Sequence, residues 1–141
     1  IQRGQGVWFA CNMNEDVSND LQGMAKGLYR PDEFLPGENN LEMDKITRMR
    51  WGRARCNHAM LIVGVEVDQD TATGKPICRS FKIENSWGSV GSGHGFYKMT
   101  ADWFHEHVYE VVVHQDILLD MQMDISHQST PTVLPYYDFF G

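Results

Sequence analysis

Cysteine is scarce: Cys11, Cys56 and Cys78 are the three in 141 residues, and no two of them form a CxxC pair. That pattern offers no zinc site and no disulfide framework, and reduced thiols in a cytoplasmic protein are the simplest account. No apolar run comes near the ~20 residues that a membrane helix needs, and no secretory leader is visible. Basic residues are also few, 12 against 19 acidic ones, for a net charge of −7. Nucleic acid is a poor partner for such a chain, because phosphate binding relies on clustered lysine and arginine. The exception is Arg48, Arg50, Arg53 and Arg55 around Trp51, read as a solvated loop or helix end that offsets nearby acids. Gly88, Gly91, Gly93 and Gly95 lack the strand–loop–helix spacing of a phosphate loop and read as a tightly folded connection.

What is present is core-building material. Hydrophobic residues make up 42% of the chain, with four tryptophans and seven phenylalanines. Residues 6–11 read as a strand. Residues 14–40 are polar and broken by Gly23, Gly27, Pro31, Pro36 and Gly37, with room for a short helix near Val17–Met24. Asn40 is placed to cap a second helix over Leu41–Met49, with Glu42 and Asp44 in its first turn. Ala59 to Val67 is a mostly apolar, β-branched run of strand length. The polar stretch from Asp68 to Pro76 is rich in turn formers, and Ile77 to Glu84 alternates loosely. Together they predict an antiparallel hairpin with a long tip. His94 to Met99 predicts a further strand, Thr100 an N-cap, Asp102 a first-turn acid, and His107 the end of a short helix. Val108 to His114 resumes strand character.

That hairpin brings two chemically paired residues together, His58 at the start of one strand and Asn85 at the end of the other. An imidazole can take a proton from a thiol, hold the thiolate as an ion pair, and return the proton to a leaving amine. A carboxamide oxygen can fix its tautomer by accepting its second N–H. Trp87 is placed to cover that hydrogen bond from water, which would strengthen it. His94, His105, His107, His114 and His127 read as surface or structural residues. No metal and no cofactor are expected.

Asn57-His58-Ala59-Met60, Glu84-Asn85-Ser86-Trp87-Gly88, Gly95-Phe96-Tyr97-Lys98-Met99-Thr100 and Asp102-Trp103-Phe104 occur in that order. Val108-Tyr109-Glu110-Val111-Val112-Val113 and Leu134-Pro135 follow, and Val7-Trp8-Phe9-Ala10-Cys11 precedes them. Across nearly its whole length the chain resembles papain-like cysteine peptidases, more closely their bleomycin hydrolase and aminopeptidase C branch. The resemblance implies an α+β papain-like fold, of which this chain supplies most of the β-rich half. Residues 1–127 would belong to that catalytic domain and residues 128–141 to an extended C-terminal arm. His58 would be the general base and acid, Asn85 its orienting partner, and Trp87 their cover.

The chain departs from that pattern in one respect. The family nucleophile lies in a Gln-x-x-x-Cys-Trp type segment at a helix start, and nothing here matches it. Cys11 reads as a packed strand thiol, Cys78 as structural, and Cys56 lacks a helix N-terminus to lower its pKa. The nucleophile, with its oxyanion glutamine, is therefore expected on an N-terminal part of the same enzyme. The tail Tyr136-Tyr137-Asp138-Phe139-Phe140-Gly141 is apolar and follows two prolines, Pro131 and Pro135, so it reads as extended. In the resembling branch such an arm lies in the cleft and limits cleavage to the substrate's N-terminus; this one departs from the pattern after Asp138. The resemblance also implies a homohexamer and peptide substrates with a free α-amino group. Two other readings stand beside it: a papain-like binding or structural module without turnover, and a minimal enzyme that uses Cys56.

Overall fold

The computed structural model describes residue 1 and residues 3–13, 16–18, 23–26, 43–88 and 93–120. The core of the molecule is a mixed sheet. Strand β1 (Val7–Cys11) is followed by the short β2 (Val17–Ser18) and β3 (Gly23–Met24), then helix α1 (Lys45–Arg50). The long strands β4 (His58–Gln69) and β5 (Pro76–Glu84) come next, then β6 (Phe96–Thr100), helix α2 (Ala101–His107), β7 (Val108–Val112) and α3 (Gln115–Asp120). Among the described residues the order across the sheet is β2-β3-β6-β5-β4-β1-β7. All pairs are antiparallel except β3 with β6, which is parallel.

The expected hairpin is present as β4 and β5. Leu61 lies opposite Glu84 and Gln69 opposite Pro76, with irregularities in register between Ile62 and Gly64 and between Glu66 and Val67. Its tip closes through Asp70, whose N–H donates to the Lys75 carbonyl at 2.8 Å and whose carbonyl accepts from Gly74 N–H at 2.7 Å. Alternation then sorts the faces. Phe9, Cys11, Met60, Ile62, Ile83, Tyr97 and Met99 turn inward onto Met24, Trp103 and Val108. Trp8 and Val112, paired directly across β1 and β7, remain exposed on the opposite face.

Helix α2 closes the inner face. Thr100 caps it by accepting Trp103 N–H on its hydroxyl at 3.2 Å, and Asp102 sits in the first turn, where a negative charge suits the helix dipole. Trp103 is completely buried against the sheet. Burial of so large a ring is worth several kcal/mol, since Trp→Ala changes in cores cost about 3–5 kcal/mol.

Two sequence expectations are corrected. The described ends of the segment around Val17–Met24 are strands and not helix: Val17 pairs with Met24 and Ser18 with Gly23. Met24 also lies beside Met99 of β6, completely buried. Glycine's poor helix propensity and this sheet edge together favour extended backbone. The second helix starts later than expected, at Lys45, and its N-cap is Asp44 rather than Asn40, which lies outside the described residues. The Asp44 carboxylate accepts Thr47 N–H at 2.8 Å and Thr47 hydroxyl at 2.9 Å. No α1 residue is buried. Its inner side is tied down by polar contacts instead, with Lys45 donating to the carbonyls of His105 and Val108. Arg48 donates to the Glu106 carbonyl at 2.9 Å and to its carboxylate at 3.0 Å. Arg48 is thus a structural tie, while Arg50, Arg53 and Arg55 are exposed, as expected for a solvated helix end.

Candidate active site

His58 opens β4, and its placement begins one residue earlier. Asn57 N–H donates to the Cys11 carbonyl at 3.0 Å, and Asn57 Oδ1 accepts Met13 N–H at 2.9 Å. Both bonds clamp the end of β1 to the start of β4, where Cys11 and His58 lie opposite each other. Asn85 follows the last residue of β5, and its N–H donates to the Gly95 carbonyl at 2.9 Å. Because Leu61 and Glu84 pair, the two strand ends meet. His58 Nε2 lies 2.9 Å from Asn85 Oδ1.

The chemistry of that contact assigns the tautomer. A carboxamide oxygen only accepts, so Nε2 carries the hydrogen and the neutral ring keeps its lone pair on Nδ1. Asn85 is buried, at 6% exposure, whereas the His58 ring is half-buried. Trp87 stacks at a tilt beside that ring, centroid to centroid 5.0 Å. Trp87 itself is 46% exposed. Tyr97 meets Trp87 edge-on at 6.3 Å and is itself buried. Sequence reasoning overlooked Asn57, Gly95 and Tyr97. The strand registers that bring them to the site are long-range, although all three stand inside the quoted motifs.

None of the three thiols is an activated nucleophile. Cys11 is completely buried, and burial, with a further contribution from Cys56, pushes its pKa up to about 12. Its sulfur points at the His58 carbonyl, 3.6 Å away, and not at the ring. Burial and then Glu110 raise the Cys56 pKa, against a smaller opposing effect of Lys45. Cys78 is raised by burial and lies opposite Val67, toward the hairpin tip. A raised pKa keeps sulfur as thiol, and the thiolate is the nucleophile. A concavity over β4–β6, walled by Gly64, Glu66, Lys82, Phe96 and Lys98, does not include His58 or Asn85.

The glycine-rich connection is tightly folded where it is described, with Phe96 N–H donating to the Gly93 carbonyl at 3.0 Å. Gly91, His127 and the tail Tyr136 to Gly141 lie outside the described residues. His94, His105 and His114 are exposed, and His107 is buried with Nε2 3.7 Å from the Asp16 carboxylate. Among the described residues no group of three or more His, Cys, Asp or Glu side chains could hold a metal ion. None of the described helices is long and apolar enough to cross a membrane.

The sequence model of the Peptidase C1-like family matches residues 1–141. The chain belongs to the Peptidase C1-like family. Aminopeptidase E of Lactobacillus helveticus is 33% identical over 138 residues, covering 98% of this chain and 30% of that protein. Human bleomycin hydrolase is 33% identical over 143 residues, covering 100% of this chain and 30% of that protein. A crystal structure of PepW from Lactobacillus rhamnosis HN001 aligns with a TM-score of 0.68 at 26% identity, over 87% of this chain and 28% of the other. The papain-like family and the α+β papain-like fold read from the motifs are therefore borne out. The chain spans about 30% of the length of the curated relatives it matches.

Proposed function

We propose that this chain is the histidine- and asparagine-bearing part of a cysteine aminopeptidase. The observation that carries the reading is the 2.9 Å contact between His58 Nε2 and Asn85 Oδ1, which leaves Nδ1 of a half-buried ring to meet a thiol. The nucleophile comes from polypeptide outside these residues, since Cys11, Cys56 and Cys78 are all held as thiols. In the assembled site Nδ1 takes the proton of the incoming thiol and later gives it to the departing amine. Asn85 keeps the ring oriented through both steps, and Trp87 limits water around it.

The relatives named aminopeptidase and bleomycin hydrolase support a substrate with a free N-terminus. The reading includes an arm, residues 128–141, that enters the cleft and meets the substrate's α-amino group, with Tyr136, Tyr137, Asp138, Phe139, Phe140 and Gly141 at its end. It also includes a homohexameric assembly and a cytoplasmic location. The test is hydrolysis of an aminoacyl fluorogenic substrate by the full assembly that contains the thiol-bearing part. His58→Ala is expected to abolish turnover, and activity that survives it removes the proposal. A module without turnover would instead give no hydrolysis in either form, while still binding peptide.

A further inference from the structure

Gly95 sits where a side chain cannot. Its φ is +89°, and a Cβ added there would come within 2.7 Å of the Gly88 carbonyl oxygen. To reach ordinary contact at 3.4 Å the two would have to part by about 0.7 Å. Both neighbours belong to the site. Gly95 O accepts Asn85 N–H at 2.9 Å, and Gly88 directly follows Trp87. Tyr97, two residues on and opposite Ile83 in the sheet, meets the Trp87 ring edge-on at 6.3 Å.

From this we infer that Gly95 is a positioning residue for the His58–Asn85 pair. It acts through two contacts, a hydrogen bond that holds the Asn85 backbone and a close approach that seats the Trp87–Gly88 turn against the start of β6. The role is distinct from a need for left-handed backbone alone. Gly74 at the hairpin tip has φ +66° and nothing within 4 Å of its added Cβ, so it carries similar backbone strain without the collision.

The kinetic arm of the test rests on the aminopeptidase reading; the spectroscopic arm does not. In the 141-residue chain, ¹⁵N ring shifts of His58 report the tautomer, and hydrogen exchange reports the Asn85 amide. Gly95→Ala is expected to lose the pure Nε2–H tautomer and to speed exchange at Asn85, whereas Gly74→Ala changes neither. In the full assembly Gly95→Ala is expected to lower kcat about 10- to 100-fold, the scale of a sub-ångström to 1 Å misplacement, with KM held within about threefold. A Gly95→Ala protein with the wild-type tautomer and wild-type exchange at Asn85 overturns the inference. If Gly95→Ala does not fold while Gly74→Ala does, the wild-type chain decides. An Asn85 amide protected well beyond its neighbours in the Ser86–Gly88 turn supports the brace, and an unprotected one overturns it. Assembled wild-type enzyme without activity, alongside the predicted tautomer change, defeats the aminopeptidase reading and leaves the brace intact.

Discussion

Asn85→Ala separates catalysis from stability, because the two ends of the Asn85 side chain are unequally used. Oδ1 accepts from His58 at 2.9 Å. Nδ2 is buried with no hydrogen-bond partner among the described residues. Truncation therefore removes one good bond and one unsatisfied donor together. A bond between neutral groups contributes about 0.5–1.5 kcal/mol and one to a charged group about 1.5–3 kcal/mol, while a buried unpaired donor costs about 1–3 kcal/mol. The two nearly cancel, so the melting temperature of the chain should move by only a few degrees. Catalysis has no such offset. In the proposed mechanism the bond is strongest when His58 is the imidazolium that holds the thiolate, and its loss at about 1.36 kcal/mol per decade predicts a roughly 10- to 150-fold fall in kcat. Asn85→Asp keeps an acceptor opposite Nε2–H and should retain the tautomer seen by ¹⁵N NMR. Hydrolysis of an aminoacyl fluorogenic substrate by the full assembly, beside calorimetry of the same proteins, makes the measurement. Wild-type kcat in Asn85→Ala, or a fall in kcat matched by global unfolding, would refute the reasoning.

Three further outcomes follow from the ionisable groups Cys11 and Glu106. Burial raises the Cys11 pKa to about 12, so native Cys11 should resist iodoacetamide at pH 8 and become reactive only on unfolding. The same shift is a stability term: it is fully present below the ordinary thiol pKa of 9.0 and is lost as pH rises toward about 12, which an alkaline melting series should trace. Burial alone would raise the Glu106 pKa, but the Arg48 hydrogen bond and the charges of Lys26, Arg48 and His105 outweigh it and hold it low. Its contribution is present above the ordinary pKa of 4.5 and fades as pH falls through the depressed value. Arg48→Met should cost about 1–3 kcal/mol at neutral pH, and that difference should shrink in acid; a penalty unchanged by acid would contradict the tie between α1 and α2.

The parts of the fold that could be read from sequence are those with local causes. The β-branched run from Leu61 to Val67 and the turn formers around Gly74 specify the hairpin. Thr100 and Asp102 mark the start of α2 because capping acts over three residues. The pairing of His58 with Asn85 was legible for the same reason, since both stand at ends of that hairpin. The parts that misled depend on distant partners. Asn40 and Asp44 are both good caps, and the observed helix carries Lys45 and Arg48 to carbonyls on α2 and β7. Gly23 and Met24 join the sheet only because β6 offers a parallel edge, which no local periodicity announces. Gly95 gave no signal of its own beyond opening one of the quoted motifs. Its meaning comes from the close approach of the Gly88 carbonyl, seven residues back in the chain.

The two ends of the β4–β5 hairpin answer to different demands. One end holds the ring and the carboxamide, and the intervening strand pairs keep the Asp70–Gly74 turn well away from them. Chain tips of this kind accept added sequence readily. An affinity tag, a fluorophore or a whole guest domain inserted after Thr71 should leave the chemistry undisturbed, which makes this tip a natural handle for surface attachment or single-molecule tracking.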